Sequence, residues 1–136
     1  MKLEVVTDAS GLPLGSAAAA ANVSEYELAM PALKDIPVPI PDGTPVIADR
    51  GHDSDELRDD IEAEGLLPII PHRRGRVRPS RNDGRRLRRY RHRWIVERTN
   101  AWLHSYRGLA MRWAHSSFMY LGLVYTAFIA IALNRF

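Results

Sequence analysis

The sequence predicts a mixed α/β domain, and three observations carry that reading. Short β-prone runs alternate with helical segments along the 136 residues. A turn signal joins the first two runs as a hairpin. Two later apolar runs, PVIA at 45–48 and LLPII at 66–70, bracket an amphipathic helix as a β-α-β unit.

Leu3–Thr7 (LEVVT) is the first strand, and the following Asp-Ala-Ser-Gly-Leu-Pro is a turn, since Asp and Gly supply its unusual dihedrals. Leu14–Ala21 returns as a second strand, weakened by five alanines. Asn22–Leu33 reads as a helix in which Ser24 and Glu27 form a capping box. Three prolines and Asp-Gly make 36–44 a loop. Ser54 caps the next helix, acids fill its first turn, and Gly65 ends it at Glu64. After LLPII comes a basic loop, 72–93, then a helix from Tyr90 to Tyr106 and an apolar helix over 116–134. All of this is expected to form one domain, 1–136.

Phe118–Leu133 is apolar all round, so it is either a core helix or a membrane helix. Its 16 residues fall short of the roughly 18–20 that span a bilayer, which favours the core. The N-terminus lacks the apolar run of a signal peptide, and a prokaryotic cytoplasmic, nucleoid-associated location is expected. With no cysteine, disulfides and thiolate metal sites are excluded.

The net charge of +3 hides an asymmetry. His72–Arg93 holds eleven arginines against one acid, Asp83, while Asp49–Glu64 holds eight acids. A basic segment of that density is a footprint of phosphate-backbone binding, or else a solvated loop without a specific role.

Two carboxylates stand out. Asp49 follows a buried strand, where α/β sheets place functional groups, although an ordinary turn aspartate has the same signature. Glu97 shares a stripe about 80° wide with Arg93, Asn100, His104 and Arg107, with Tyr90 at its edge. The rest of that helix's circumference is mostly apolar, so the helix is expected to be largely buried. Glu97 then needs a partner: a salt bridge to Arg93, or a hard divalent cation of the kind that takes one or two carboxylates plus phosphate oxygens.

VIADRGHDSDELRDDIEAEGLLPIIPHRRGR resembles the block around the second catalytic aspartate of DDE-class insertion-sequence transposases. YRHRWIVERTNAWLHSYRGLAMRW is similar to the block around their catalytic glutamate, and TDASGLPLGSAAAAANVSE to the hairpin between their first and second acids. The insertion-sequence-four and -five superfamily carries a signature of tyrosine, arginine, glutamate and lysine. Its positions here hold Tyr90, Arg93, Glu97 and, in place of lysine, His104. The resemblance implies an RNase H-like mixed sheet with flanking helices, and DNA transposition through metal-dependent strand cleavage and transfer. It implies Asp49 and Glu97 as catalytic ligands of Mg²⁺ or Mn²⁺, and DNA as partner, both terminal repeats and target. Arg73, Arg74, Arg76, Arg78, Tyr90, Arg93 and His104 are then DNA-facing, and a functional assembly is expected to be a homo-oligomer without membrane association.

The family's first aspartate lies on a strand that precedes the hairpin. Here MKLEVVTDASG begins inside the second strand, and Asp8 sits in the hairpin turn. The expectation is an N-terminally truncated catalytic domain, first strand absent, inactive alone. A pseudogene product, a wrong start and a downstream frame all account for it; in the last case an upstream-frame product supplies the first aspartate. The alternative function is a non-catalytic nucleic-acid-binding fragment or regulator of transposition.

Overall fold

Residues 1–111 and 115–135 are described by the computed structural model. Strands β1 (Lys2–Thr7) and β2 (Pro13–Ala19) form an antiparallel hairpin, with Val5 opposite Ser16. Its turn is held by Asp8, whose Oδ1 accepts from the backbone N–H groups of Ser10 and Leu12 and from the Ser10 hydroxyl. Helix α1 (Glu25–Lys34) follows, then β3 (Pro45–Ile47), a 3-10 turn (Arg50–His52), α2 (Asp55–Ala63) and β4 (Leu67–Ile69). β3 and β4 pair in parallel, Ile47 opposite Ile69. The two sheets are separate two-stranded units. The mixed α/β class is therefore as the sequence predicts.

The alanines that weaken β2 on paper have a packing reason. α1 crosses the strand so closely that a Cβ at Gly15 would collide with the Ala32 carbonyl oxygen. Ala17 packs with Leu28 and Ala32 of α1, and Ala18 lies against the cluster built on α6. Larger side chains on either face would hold the helices off. Ser24 does occupy the N-cap of α1, but its side chain makes no capping bond, so the predicted capping box does not form. Ser54 does cap α2, accepting from the Leu57 N–H.

The segment expected as a loop to residue 90 is helical from Gly84. Asp83 caps α3 (Gly84–Leu87), a 3-10 stretch runs over Arg88–Arg93, and α4 (Trp94–Ser105) continues it. A short α5 (Arg107–Ala110) precedes α6 (Ser117–Leu133). α4 is less buried than its composition implies: only Thr99 and Leu103 lie in the interior. Arginines replace core on its apolar side. The Arg98 guanidinium lies 4.9 Å from the ring centroids of both Trp94 and Trp102. Thr99 is fully enclosed and donates to the Gly11 carbonyl at 2.7 Å, pinning α4 to the hairpin turn.

α6 buries Tyr120, Val124, Ala127, Phe128 and Ile131 in a cluster with Val5, Leu103 and Leu109. Its opposite face exposes Phe118 (85%), Ile129 (61%) and Leu133 (73%), so it is a one-sided core helix. No described helix is long and apolar enough to cross a membrane.

One ion cluster ties α2 to the arginine segment. The Asp53 carboxylate has no exposed surface. It receives the buried Arg58 guanidinium, Arg76 Nη1 at 2.6 Å and the Arg73 backbone N–H at 2.7 Å. Burial pushes its pKa up, but the Arg73 N–H and the two guanidiniums outweigh burial and hold it below the ordinary value. Asp53→Asn strands Arg58 in the interior and is expected to cost about 3–5 kcal/mol, measurable by urea unfolding. Because the folded pKa is depressed, this contribution is complete above the unfolded value of about 3.9 and disappears as pH falls through the folded one. The gap between wild type and variant therefore narrows in acid.

Candidate functional site

Asp49 follows β3 and caps the 3-10 turn. Its Oδ1 accepts from the Gly51 N–H at 2.9 Å and pairs with His52 Nδ1 at 2.8 Å. His52 is 6% exposed, and its Nε2 lies 3.1 Å from Glu4 Oε1 on β1. Glu25, the first residue of α1, leans over the same turn: a Cβ at Gly51 would clash with its Oε2 and meet Asp49 Oδ1. Three carboxylates from three elements thus surround one imidazole.

Charge explains the titration of the group. Burial works against a charged His52, but Glu4 and Asp49 prevail and raise its pKa to about 9. Burial pushes Asp49 up, while His52, the Gly51 N–H and Arg93 bring it below the usual value. Even with His52 protonated, the three carboxylates leave the cluster with a negative balance. Glu25, Asp49 and His52 each offer a ligand atom, all within 4.8 Å of one another. Protonated, with one nitrogen on Asp49 and the other facing Glu4, His52 has no free lone pair for a metal, so a divalent cation here would rest on the Asp49 and Glu25 carboxylates.

Glu97 is not part of that group. It is exposed on α4 and pairs with Arg93 Nη2 at 2.7 Å. Glu97, Asn100 and His104 are on the solvent side of α4, in contrast to the buried setting expected of them, and Arg107, expected on the same stripe, starts α5 after the helix breaks at Tyr106. Arg93 Nη1 also donates to the Tyr90 hydroxyl at 2.9 Å. The Arg93 charge is felt by both Asp49 and Glu97, and β3, which Asp49 follows, neighbours the 3-10 stretch that ends at Arg93. Asp49, Tyr90, Arg93 and Glu97 are therefore brought to one region.

The other predicted residues scatter. Arg73 and Arg74 are exposed. Arg76 is taken up by Asp53 and, at 2.5 Å, by Asp55, while Arg78 reaches Asp55 at 3.5 Å. His104 stands on the outer face of α4. Sequence reasoning missed Glu4, Glu25, His52 and Asp53. His52, three residues past Asp49, was the one local signal, because a turn brings that spacing together.

The chain matches a family of transposase DDE domains over residues 1–133, and it belongs to that family. It is 36% identical over 133 residues to a Burkholderia cepacia protein assigned as a transposase for insertion sequence element IS402. The alignment covers 89% of this chain and 59% of that protein, so the chain spans about three-fifths of the relative's length. No solved structure matches it. Membership makes DNA transposition the family context and a divalent metal the family's cofactor.

His52 gives the site a measurable pH signature. Its folded pKa lies above the unfolded value, so its contribution to stability is complete below about pH 6.5. The contribution is lost as pH rises through about 9. In metal-free buffer the wild type is expected to lose unfolding free energy across that window, and His52→Gln is expected to lack the slope. Urea titrations at stepped pH read the difference.

Proposed function

We propose that this chain is part of a transposase catalytic domain of RNase H-like type, acting on insertion-sequence ends and target DNA with Mg²⁺ or Mn²⁺. The observation that supports it best is the convergence of Asp49, Arg93 and Glu97 beside a segment of eleven arginines. Asp49 and Glu97 are the catalytic metal ligands in this reading. The bound cation supplies activation of the attacking oxygen and stabilisation of the leaving one. Glu25 sits close enough to Asp49 to share in holding it. Arg93 bridges acid and phosphate charge, with Tyr90 orienting it. Arg73, Arg74 and His104 are left facing solvent, where they can meet the DNA.

Isolated, the 136 residues offer two of the family's three acids. Asp8 is committed to the hairpin turn through three hydrogen bonds and does not reach a metal. The rival reading, a non-catalytic nucleic-acid binder, rests on the same arginines without the acids.

The two readings separate on metal. Mn²⁺ titrated into the protein and followed by paramagnetic resonance is expected to bind, and Asp49→Asn is expected to weaken it at least tenfold. Binding unaffected by Asp49→Asn and by Glu97→Gln leaves only the rival. Metal-dependent nicking of terminal-repeat DNA, abolished in Glu97→Gln, is the outcome the catalytic reading expects and the rival does not.

A further inference from the structure

The arginine segment divides into two parts that differ in what the guanidiniums face. The first is turned onto α2. Arg76 and Arg78 pair with Asp55, and Arg81 with Asp59 at 2.7 Å and Glu62 at 3.5 Å. These cations neutralise the acidic helix and have little left for a ligand.

The second part, 84–93, contains no acid. Backbone angles at Arg88 (φ −57°, ψ −27°) are helical, so α3, the 3-10 stretch and α4 run on without a break. Side chains three apart eclipse in a 3-10 helix and stand in rows. One row, Leu87, Tyr90 and Arg93, is half-buried and leads to the acids. The next, Arg85, Arg88 and Arg91, is exposed at every position and forms no ion pair among the described residues. Arg85 lies in α3, at about 1.5 Å rise per residue, and Arg88 and Arg91 in the 3-10 stretch, at about 2.0 Å, so the row is about 10 Å long. Each strand of a DNA duplex presents a phosphate about every 3.4 Å of axis, so the row faces three or four of them.

We propose that the row Arg85–Arg88–Arg91 docks on the phosphate backbone of duplex DNA. The proposal rests on the DNA-acting reading above and adds which cations carry the contact. Single-stranded nucleic acid calls for aromatic faces between the cations. Here Tyr90 is turned to Arg93, Trp94 carries the Arg98 guanidinium on one face with half its surface exposed, and no aromatic side chain stands within the row itself, which makes it a backbone reader. The Thr99 bond to the hairpin turn fixes α4, which continues the rod, so the cations are presented on a supported element.

Binding of the 136-residue protein to a duplex of arbitrary sequence, read by fluorescence anisotropy against salt concentration, tests this. With Arg85, Arg88 and Arg91 all changed to Gln, the slope of log K against log salt is expected to fall by about 2–3, at about 0.9 per phosphate released. Arg81→Gln is expected to keep the wild-type slope. Circular dichroism melting of the triple variant is expected to match wild type, since no described ion pair is lost. A triple variant that keeps the full slope overturns the row and leaves the transposase reading standing. A wild type that binds no duplex overturns both. Tighter binding to single-stranded RNA of the same length overturns the duplex assignment.

Discussion

The structure hangs on a buried imidazole. β1–β2 and β3–β4 share no hydrogen bonds, so nothing in the strand ladders relates one sheet to the other. His52 crosses that division, with one nitrogen on Asp49 after β3 and the other facing Glu4 on β1. An imidazole with a carboxylate on either side gains more from its proton than burial takes away. It then acts as a cationic bolt between two anionic sheet ends. Asp49 is held by the same bolt, with the Gly51 N–H completing its restraint. The position of the proposed metal carboxylate and the mutual placement of the sheets are in this sense one constraint.

A second constraint is the division of labour among the arginines. A run of eleven cations with one acid could not fold back on the chain without counter-charges. The eight acids between Asp49 and Glu64 supply them. Asp53 goes furthest, drawing Arg58, Arg76 and a backbone N–H into a cluster closed to solvent. Exposed pairs such as Arg81 with Asp59 add little individually, at about 0–1 kcal/mol each. They do orient the strap over α2 and send the following rod of residues 84–93 outward.

Much of this was legible in the sequence. PVIA ending on Asp-Arg-Gly located both β3 and Asp49, and the polar stripe on α4 was correctly composed. Its environment was not, because periodicity shows which residues share a face and not what covers the others. Trp94 is half exposed with the Arg98 guanidinium on its ring, and Trp102 meets that guanidinium while packing at the edge of the α6 cluster. Charge counting gave the sign of 72–93 but not its pairings, which depend on where α2 lies. The turn at Asp83 and the spacing of Leu87, Tyr90 and Arg93 by three are the local signals that this stretch is helical. Glu4 and Glu25 were out of reach, since each meets His52 or Asp49 only through tertiary contact. Transposase membership, carried by long blocks in order, was readable throughout.

The Arg93–Glu97 ion pair invites the objection that Glu97 is already spoken for. Its energetics argue otherwise. An exposed pair one helical turn apart contributes only about 0.3–0.5 kcal/mol, far too little to hold a carboxylate against a divalent cation. Arg93 also acts on the charge of Asp49, so a cation held by the two acids would lie close to it. Such a cation would meet Arg93 as a like charge and push it away, and phosphate oxygens are the acceptors a displaced guanidinium fits best. The Arg93–Glu97 pair is therefore compatible with the proposed metal site, since a cation and a phosphate together would replace both of its partners.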